Sequence, residues 1–348
     1  MTVIIAILGL IFLIVIHEMG HMLTAKALGV HVPEFSVGFG PALLQRKIGR
    51  TVYSFRIVLL GGFARMAGMD DEEKGPDTYP AKPPWRRALI ILAGPFTNIL
   101  ASIVILALVY MFSGVITGAS MRVENVVPHS FAAQAGVKPG DEIVAFDGRK
   151  MSGWSEFQKA VSSQKPGEKA TLVVRRDGHR VTFSGRLGKN PDDPRQALVG
   201  VQPQPVRRTY GPLEATGLAA SRVWFVTEQL GSFIGQLASG QQSFSKSVSG
   251  PIGIVAISSE SVSQGYFFSL LSFISLNLGL FNLIPLLPLD GGHLLVIAAE
   301  KVRGRPVSKE TVMKIAAFGL TLLLAVFLFA TYGDLNKLFE GKPFIPNR

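Results

Sequence analysis

The sequence of 348 residues contains no cysteine. Disulfides and thiolate metal sites are therefore excluded, and any bound metal must be held by histidine and carboxylate. Acidic residues are scarce where the chain is most apolar: Asp290 is the only formal charge between Ser261 and Ala299. Acids are outnumbered overall, 24 against 35 Lys and Arg, for a net charge of +11. In a soluble chain that balance would suggest nucleic acid. Here there is no basic helix and no aromatic ladder, and the charge lies in loops between apolar segments, where it orients membrane spans. No nucleic-acid partner is expected. The N-terminus also lacks a basic n-region and a small-residue cleavage site, so its apolar run reads as a retained span and not a cleaved signal.

What the chain does have is apolar sequence, 48% of its residues. Four uncharged stretches approach or exceed the about 20 residues that a bilayer requires. The first begins at Thr2, the second is Ala88 to Tyr110 or slightly beyond, the third lies within Ser261 to Leu289, and the fourth is Ile315 to Tyr332. Lys and Arg cluster in residues 25–87 and 301–314, which places those loops in the cytoplasm and the termini and residues 122–260 outside. Residues 41–69 hold two β-prone runs and an apolar patch broken by Gly61 and Gly62, the pattern either of a plain surface hairpin or of one lying against or dipping into the bilayer, and the sequence does not choose between them. Trp224, Phe225, Phe233 and Ile234 in residues 212–248 suit a helix in the membrane interface. Gly250 to Ile254 then breaks that helix.

Into the first apolar stretch is written His17-Glu18-Met19-Gly20-His21. With six His and fourteen Glu available, chance predicts about 0.004 occurrences of H-E-x-x-H. Residues four apart on a helix lie on nearly one face and about 6 Å apart along the axis, so both imidazoles can hold one ion with Glu18 beside it. An ionisable cluster inside a membrane span is a functional hypothesis by default. Catalytic zinc takes three protein ligands and keeps a place for water. Candidates for the third are His31, Glu34, Asp290 and His293. Asp290 leads, because a +2 ion would account for an acid in such apolar surroundings, although it could also merely cap a short helix starting near Gly291. Pro285 and Pro288 predict local unwinding that would let its side chain turn inward.

Residues 122–205 form a soluble segment whose Ala135-Gly136-Val137-Lys138-Pro139-Gly140-Asp141-Glu142-Ile143 run resembles PDZ domains of bacterial envelope proteases. PDZ domains add an extended peptide to a sheet edge. Together with the first-span zinc motif and Asn282-Leu283-Ile284-Pro285 leading to Leu289-Asp290-Gly291-Gly292, this resembles the site-2 protease family, in particular its bacterial regulator-of-sigma-E branch with a single PDZ domain. The likeness extends through Phe35 to Gly40, Leu60-Gly61-Gly62-Phe63, Ala93-Gly94-Pro95-Phe96-Thr97-Asn98 and Gly250 to Ile254. Two departures stand out: many relatives carry two PDZ domains, and the second proline of the family motif falls at Pro288, one residue later than usual.

The resemblance implies a polytopic α-helical membrane protease of four transmembrane helices, with a membrane-associated β-hairpin and one extracytoplasmic PDZ domain, in a bacterial inner membrane. The implied organisation is 1–120 and 261–348 as two halves of the protease core, 121–205 as the PDZ domain and 206–260 as an interfacial segment. It implies zinc on His17, His21 and Asp290, Glu18 as the catalytic residue, and Asn282, Gly61, Gly62 and Phe63 as substrate contacts. Asn98 or Asn282 would supply an oxyanion donor. The implied substrates are single-span proteins such as anti-sigma factors, trimmed first by another protease, or remnant signal peptides.

Overall fold

The computed structural model describes residues 2–69, 73–190, 193–241, 253 and 266–340. Helix α1 (Thr2–Ala27) runs unbroken through the histidines. It stops at Gly29, whose positive φ of +74° suits the left-handed turn where Val30 N–H returns to the Ala25 carbonyl. Strands β1 (Glu34–Ile48) and β2 (Thr51–Arg65) follow. The sequence predicts shorter strands that leave out Phe35 to Gly40. The observed strands have 15 residues each, because the hairpin curls and pairs twice. Residues 34–37 are in register with both 52–55 and 62–65, while 45–48 pair with 51–54. The local order is thus 62–65, 34–37, 52–55, 45–48, and residues 62–65 form one edge.

Helix α2 (Pro84–Phe112) accepts Pro95 in its interior. It ends before Gly114, at φ +73°, and the chain turns at once into β3 (Val115–Val126). Residues 115–121, which are uncharged, belong to this strand. Their partner is β10 (Val201–Arg208), which pairs Arg208 with Val115 at one end and Val201 with Val126 at the other. Residues 110–210 form one compact unit. It holds α3 (Phe131–Ala135), β4 (Glu142–Phe146), β5 (Arg149–Lys150), α4 (Trp154–Ser162), β6 (Lys169–Arg176), β7 (His179–Arg186), β8 (Gly188–Lys189), β9 (Ala197–Leu198) and β10 (Val201–Arg208). The sheet order is β10-β3-β4-β6-β7, with β5 on β4. Alternate residues Ala170, Leu172 and Val174 of β6 point into a core that includes Ile143, Phe146 and Phe157. Asp177 and Gly178 both have positive φ and form the two-residue turn between β6 and β7. Asp141 is 2% exposed and is held by Arg176 through Nε and Nη2, each 2.7 Å from a carboxylate oxygen, and by Lys138 N–H at 2.9 Å.

The second unit comprises residues 1–109 and 211–348. After β10 it continues with α5 (Pro212–Ala238), α6 (Phe267–Asn282), α7 (Asp290–Arg303) and α8 (Lys309–Phe339). Three described helices are long and apolar enough to cross a membrane: Ile4–Ala27 of α1, α2 and α8. Helix α6 is apolar but has 16 residues, about 24 Å of helix. Residues 261–265 of the anticipated third span and most of the Gly250–Ile254 motif lie outside the described residues. Helix α5 exposes Trp224 and Phe225 while burying Ala215, Ala219 and Val223 at a four-residue spacing. Met22, Ala25, Phe35, Tyr79, Ile90, Ile91 and Ile297 form one buried cluster, tying α1, β1, α2 and α7 together.

Candidate metal centre

Helix α1 places His17 and His21 one turn apart, both buried. Gly20 lets α1 press against α2: a Cβ there would lie 2.5 Å from the Ala93 carbonyl oxygen and from Thr97 Oγ1. Thr97 Oγ1 also donates to the Ile16 carbonyl at 3.2 Å. Across this contact α2 supplies three things to the imidazoles. The Ile90 carbonyl accepts His21 Nδ1–H at 2.8 Å. Asn98, which is fully buried, has its amide 3.2 Å from His17 Nδ1. Gly94 supplies space, since a Cβ there would sit 2.2 Å from His21 Nε2.

The third group comes from α7. Residues 283–289 are not helical, as the prolines predict, and the chain re-enters helix at Asp290. Leu289 is the N-cap and makes no side-chain cap bond, so the capping alternative for Asp290 is not what the structure shows. Instead Asp290 Oδ2 lies 3.1 Å from His17 Nε2 and 3.4 Å from His21 Nε2. The two Nε2 atoms are 3.2 Å apart. Gly291 and Gly292 allow this approach, because a Cβ on either would be 2.3 Å from the backbone of 283–287. Among the described residues this is the one group of three or more potential ligands. Of the other candidates, Glu34 is occupied by Ser54 and Arg56.

These distances test whether zinc fits. Four ligands at about 2.05 Å in a tetrahedron lie about 3.3 Å from one another. The three observed separations, 3.1, 3.2 and 3.4 Å, bracket that value. Asp290 Oδ2 is buried without a hydrogen-bond donor, and the proton that His21 gives to Ile90 leaves its Nε2 with a lone pair. Electron pairs converging on one point in a buried site require a cation. Zinc fits.

Glu18, next to His17, projects toward the hairpin and accepts Ala64 N–H on Oε2 at 3.1 Å. Ala64 belongs to the 62–65 edge. A Cβ on Gly62 would be 2.8 Å from the Ser36 carbonyl oxygen and 3.5 Å from Glu18 Cγ. The Phe63 ring stacks on Phe39 at 6.2 Å and lies under the Arg56 guanidinium. A Cβ on Gly61 would meet the Phe39 ring at 2.3 Å. Of these residues Gly62 and Ala64 approach Glu18, while Gly61 and Phe63 pack on Phe39. Two expected contacts sit differently. Asn98 is enclosed, with its amide on His17 and its backbone carbonyl accepting from Ser275 Oγ at 2.8 Å, so it faces the histidine and not an open cleft. Asn282, at the end of α6, donates to the Leu278 carbonyl at 3.0 Å. Sequence reasoning assigned no role to Gly94 or Ile90; the signal for Gly94 lay in the Ala93 to Asn98 run, but backbone acceptors leave none.

Two imidazoles and a carboxylate meeting at one point, with a second carboxylate beside them on the same helix, define a zinc-dependent peptidase. Residues 5–326 match peptidase family M50, and the chain belongs to that family, the site-2 proteases. It is 29% identical to the zinc metalloprotease RasP of Geobacillus kaustophilus, over 94% of this chain and 96% of that protein. It is 27% identical to the regulator of sigma-W protease RasP of Bacillus subtilis, again over 94% and 96%. Among solved structures, the PDZ domain of the SdrC-like protein from Listeria monocytogenes matches at 19% identity, covering 26% of this chain and 92% of that one, with a TM-score of 0.22.

Proposed function

We propose that this metalloprotease is an intramembrane endopeptidase that cuts single-span membrane proteins, with His17, His21 and Asp290 as its zinc ligands and Glu18 as general base. The observation that carries the reading is the meeting of His17 Nε2, His21 Nε2 and Asp290 Oδ2 within 3.4 Å of one another, with both histidines on a helix long and apolar enough to cross a bilayer. Zinc bound there supplies a Lewis acid and a water of lowered pKa. Ala64 N–H holds Glu18 Oε2, which leaves Oε1 to take the proton of the attacking water and pass it to the departing amide nitrogen. Ile90 and Asn98 fix the planes and tautomers of the two rings. Asn98 presents Nδ2 to His17 Nδ1 at 3.2 Å and leaves Oδ1 a buried acceptor with no partner; a half-turn of the amide would let Oδ1 accept Nδ1–H and free the Nε2 lone pair for the metal.

A membrane helix hides its peptide carbonyls in its own hydrogen bonds, so cleavage requires an extended segment. The 62–65 edge supports that requirement. Strand period two puts the N–H of Gly62 on the same side as that of Ala64, beside Glu18, and an unwound substrate strand can add to it. Gly61, Gly62 and Phe63 are the residues we assign to that contact, and Asn282 at the end of α6 is a candidate oxyanion donor. The four-span topology, with the active site toward the cytoplasmic side of a bacterial inner membrane and a PDZ-like unit of residues 110–210 outside it, rests on the Lys and Arg distribution. The name of the Bacillus relative and the family resemblance favour anti-sigma factors or remnant signal peptides as substrates, with larger external domains trimmed beforehand.

The test is cleavage of a single-span test protein in proteoliposomes, alongside zinc analysis of the purified enzyme. About one zinc per chain, lost in Asp290→Ala together with cleavage, supports the assignment. Full zinc content in Asp290→Ala refutes the ligand set.

A further inference from the structure

The chemistry above makes no use of Arg87 and Glu300, yet their side chains are only 14% and 13% exposed. Arg87, in the first turn of α2, donates from Nη1 to Glu300 Oε2 at 2.7 Å. The other oxygen, Oε1, accepts Val307 N–H at 3.0 Å from the segment between α7 and α8. The Arg87 guanidinium also lies over the ring of buried Tyr79, 5.9 Å from its centre. Burying such a pair is often no more favourable than burying apolar residues of the same volume, so stability is a weak reason for it. An ion pair differs from an apolar contact in having direction: it specifies one relative placement of two helices.

We propose that Arg87 and Glu300 are positioning residues for the metal centre, fixing α7 against α2 so that Asp290 meets the two imidazoles. This rests on the ligand set proposed above. Helix α2 carries every group that orients the histidines: Ile90 lies three residues beyond Arg87, then come Gly94 and Asn98. Helix α7 carries Asp290 in its first turn and Glu300 in its last, ten residues or about 15 Å further along. Between them Ile297 and Leu294 pack on the cluster of Met22, Ala25, Ile90 and Ile91. Those contacts are apolar and tolerate sliding, whereas a metal–ligand distance tolerates about 0.2 Å. A polar pin at the end of α7 remote from the ligand converts a loose helix contact into a defined one. Glu300 reaches α2 and the entry to α8 with its two oxygens, so one side chain registers three elements.

The test uses the full-length protein in detergent, with zinc affinity from chelator competition, the visible spectrum of the cobalt(II)-substituted protein, and the thermal midpoint. In Arg87→Lys, which keeps the charge but loses the planar fork, zinc binding is expected to weaken on the order of tenfold, and the cobalt bands to change, with little change in midpoint. The apolar pair Arg87→Met with Glu300→Leu is expected to fold at least as stably and still bind zinc more weakly. Either variant, folded and with parental affinity and cobalt spectrum, overturns the proposal; so does affinity that falls only in step with the midpoint. If the double variant does not fold, Arg87→Lys decides. Failure of the ligand set itself shows separately, as an unmodified protein that binds no zinc.

Discussion

Gly94 and His21 are so close that one added carbon at position 94 would lie 2.2 Å from Nε2, the atom that would face the proposed metal. The same carbon would lie 2.9 Å from His17 Cε1. Gly94→Ala is therefore expected to displace both rings and lower zinc content on the order of tenfold or more, while circular dichroism shows an intact helical fold. Parental zinc content in this variant would mean that the rings can retreat, contrary to the packing described.

Glu18→Gln keeps the size of the side chain and can still accept Ala64 N–H, but it cannot take a proton. Cleavage is expected to fall by about 10²–10⁴-fold. Zinc content should stay near the parental value, since the ligands are elsewhere. Rate measurement paired with metal analysis checks this, and undiminished cleavage would rule out the general-base role.

Asn98 contacts His17 inside the protein. Asn98→Ala removes the group that orients the ring and should weaken zinc by about 10–100-fold. Asn98→Asp, which restores an acceptor for Nδ1–H, should recover part of that loss. If Asn98 acted instead on the substrate, Asn98→Ala would leave zinc affinity unchanged and slow only cleavage.

In the 110–210 unit, burial would raise the Asp141 pKa, but the hydrogen bonds from Arg176 and from Lys138 N–H outweigh it and hold the carboxyl below its ordinary range. A depressed folded-state pKa means that the stabilisation is complete above the unfolded value of about 3.9. It is lost as pH falls through the folded value. Hydrogen exchange of residues 142–146 and 169–176 in the full-length protein should show protection that holds from pH 7 to about 5 and declines below pH 4. In Asp141→Asn the decline should flatten; an unchanged profile would assign it to other carboxylates.

Much of this was legible in the primary structure, and particular residues show why. His17, Glu18 and His21 are local: one helix and a four-residue spacing suffice to aim two rings at one point, and the absence of cysteine narrows the remaining ligands. Asp290 could be nominated because a lone acid in apolar sequence requires a partner. The Asp177-Gly178 turn is likewise local chemistry. The double pairing of residues 34–37 was not legible, since period-two patterns specify strand character but not which strands meet. Nor was the strand at residues 115–121 legible, because an uncharged run serves a strand as well as a helix.

Composition and spacing alone therefore nominated a histidine and carboxylate metal site, a carboxylate beside it and helices long and apolar enough to cross a membrane, because each depends on the identity of a few side chains. Tertiary structure decided what surrounds them. The lone pair of His21 is directed by a backbone carbonyl of Ile90, a group that every residue possesses and no sequence marks. Space for the rings is supplied by what Gly94 lacks, and Arg87 finds Glu300 across 213 positions. Such relationships arise when helices pack, so only the folded chain displays them.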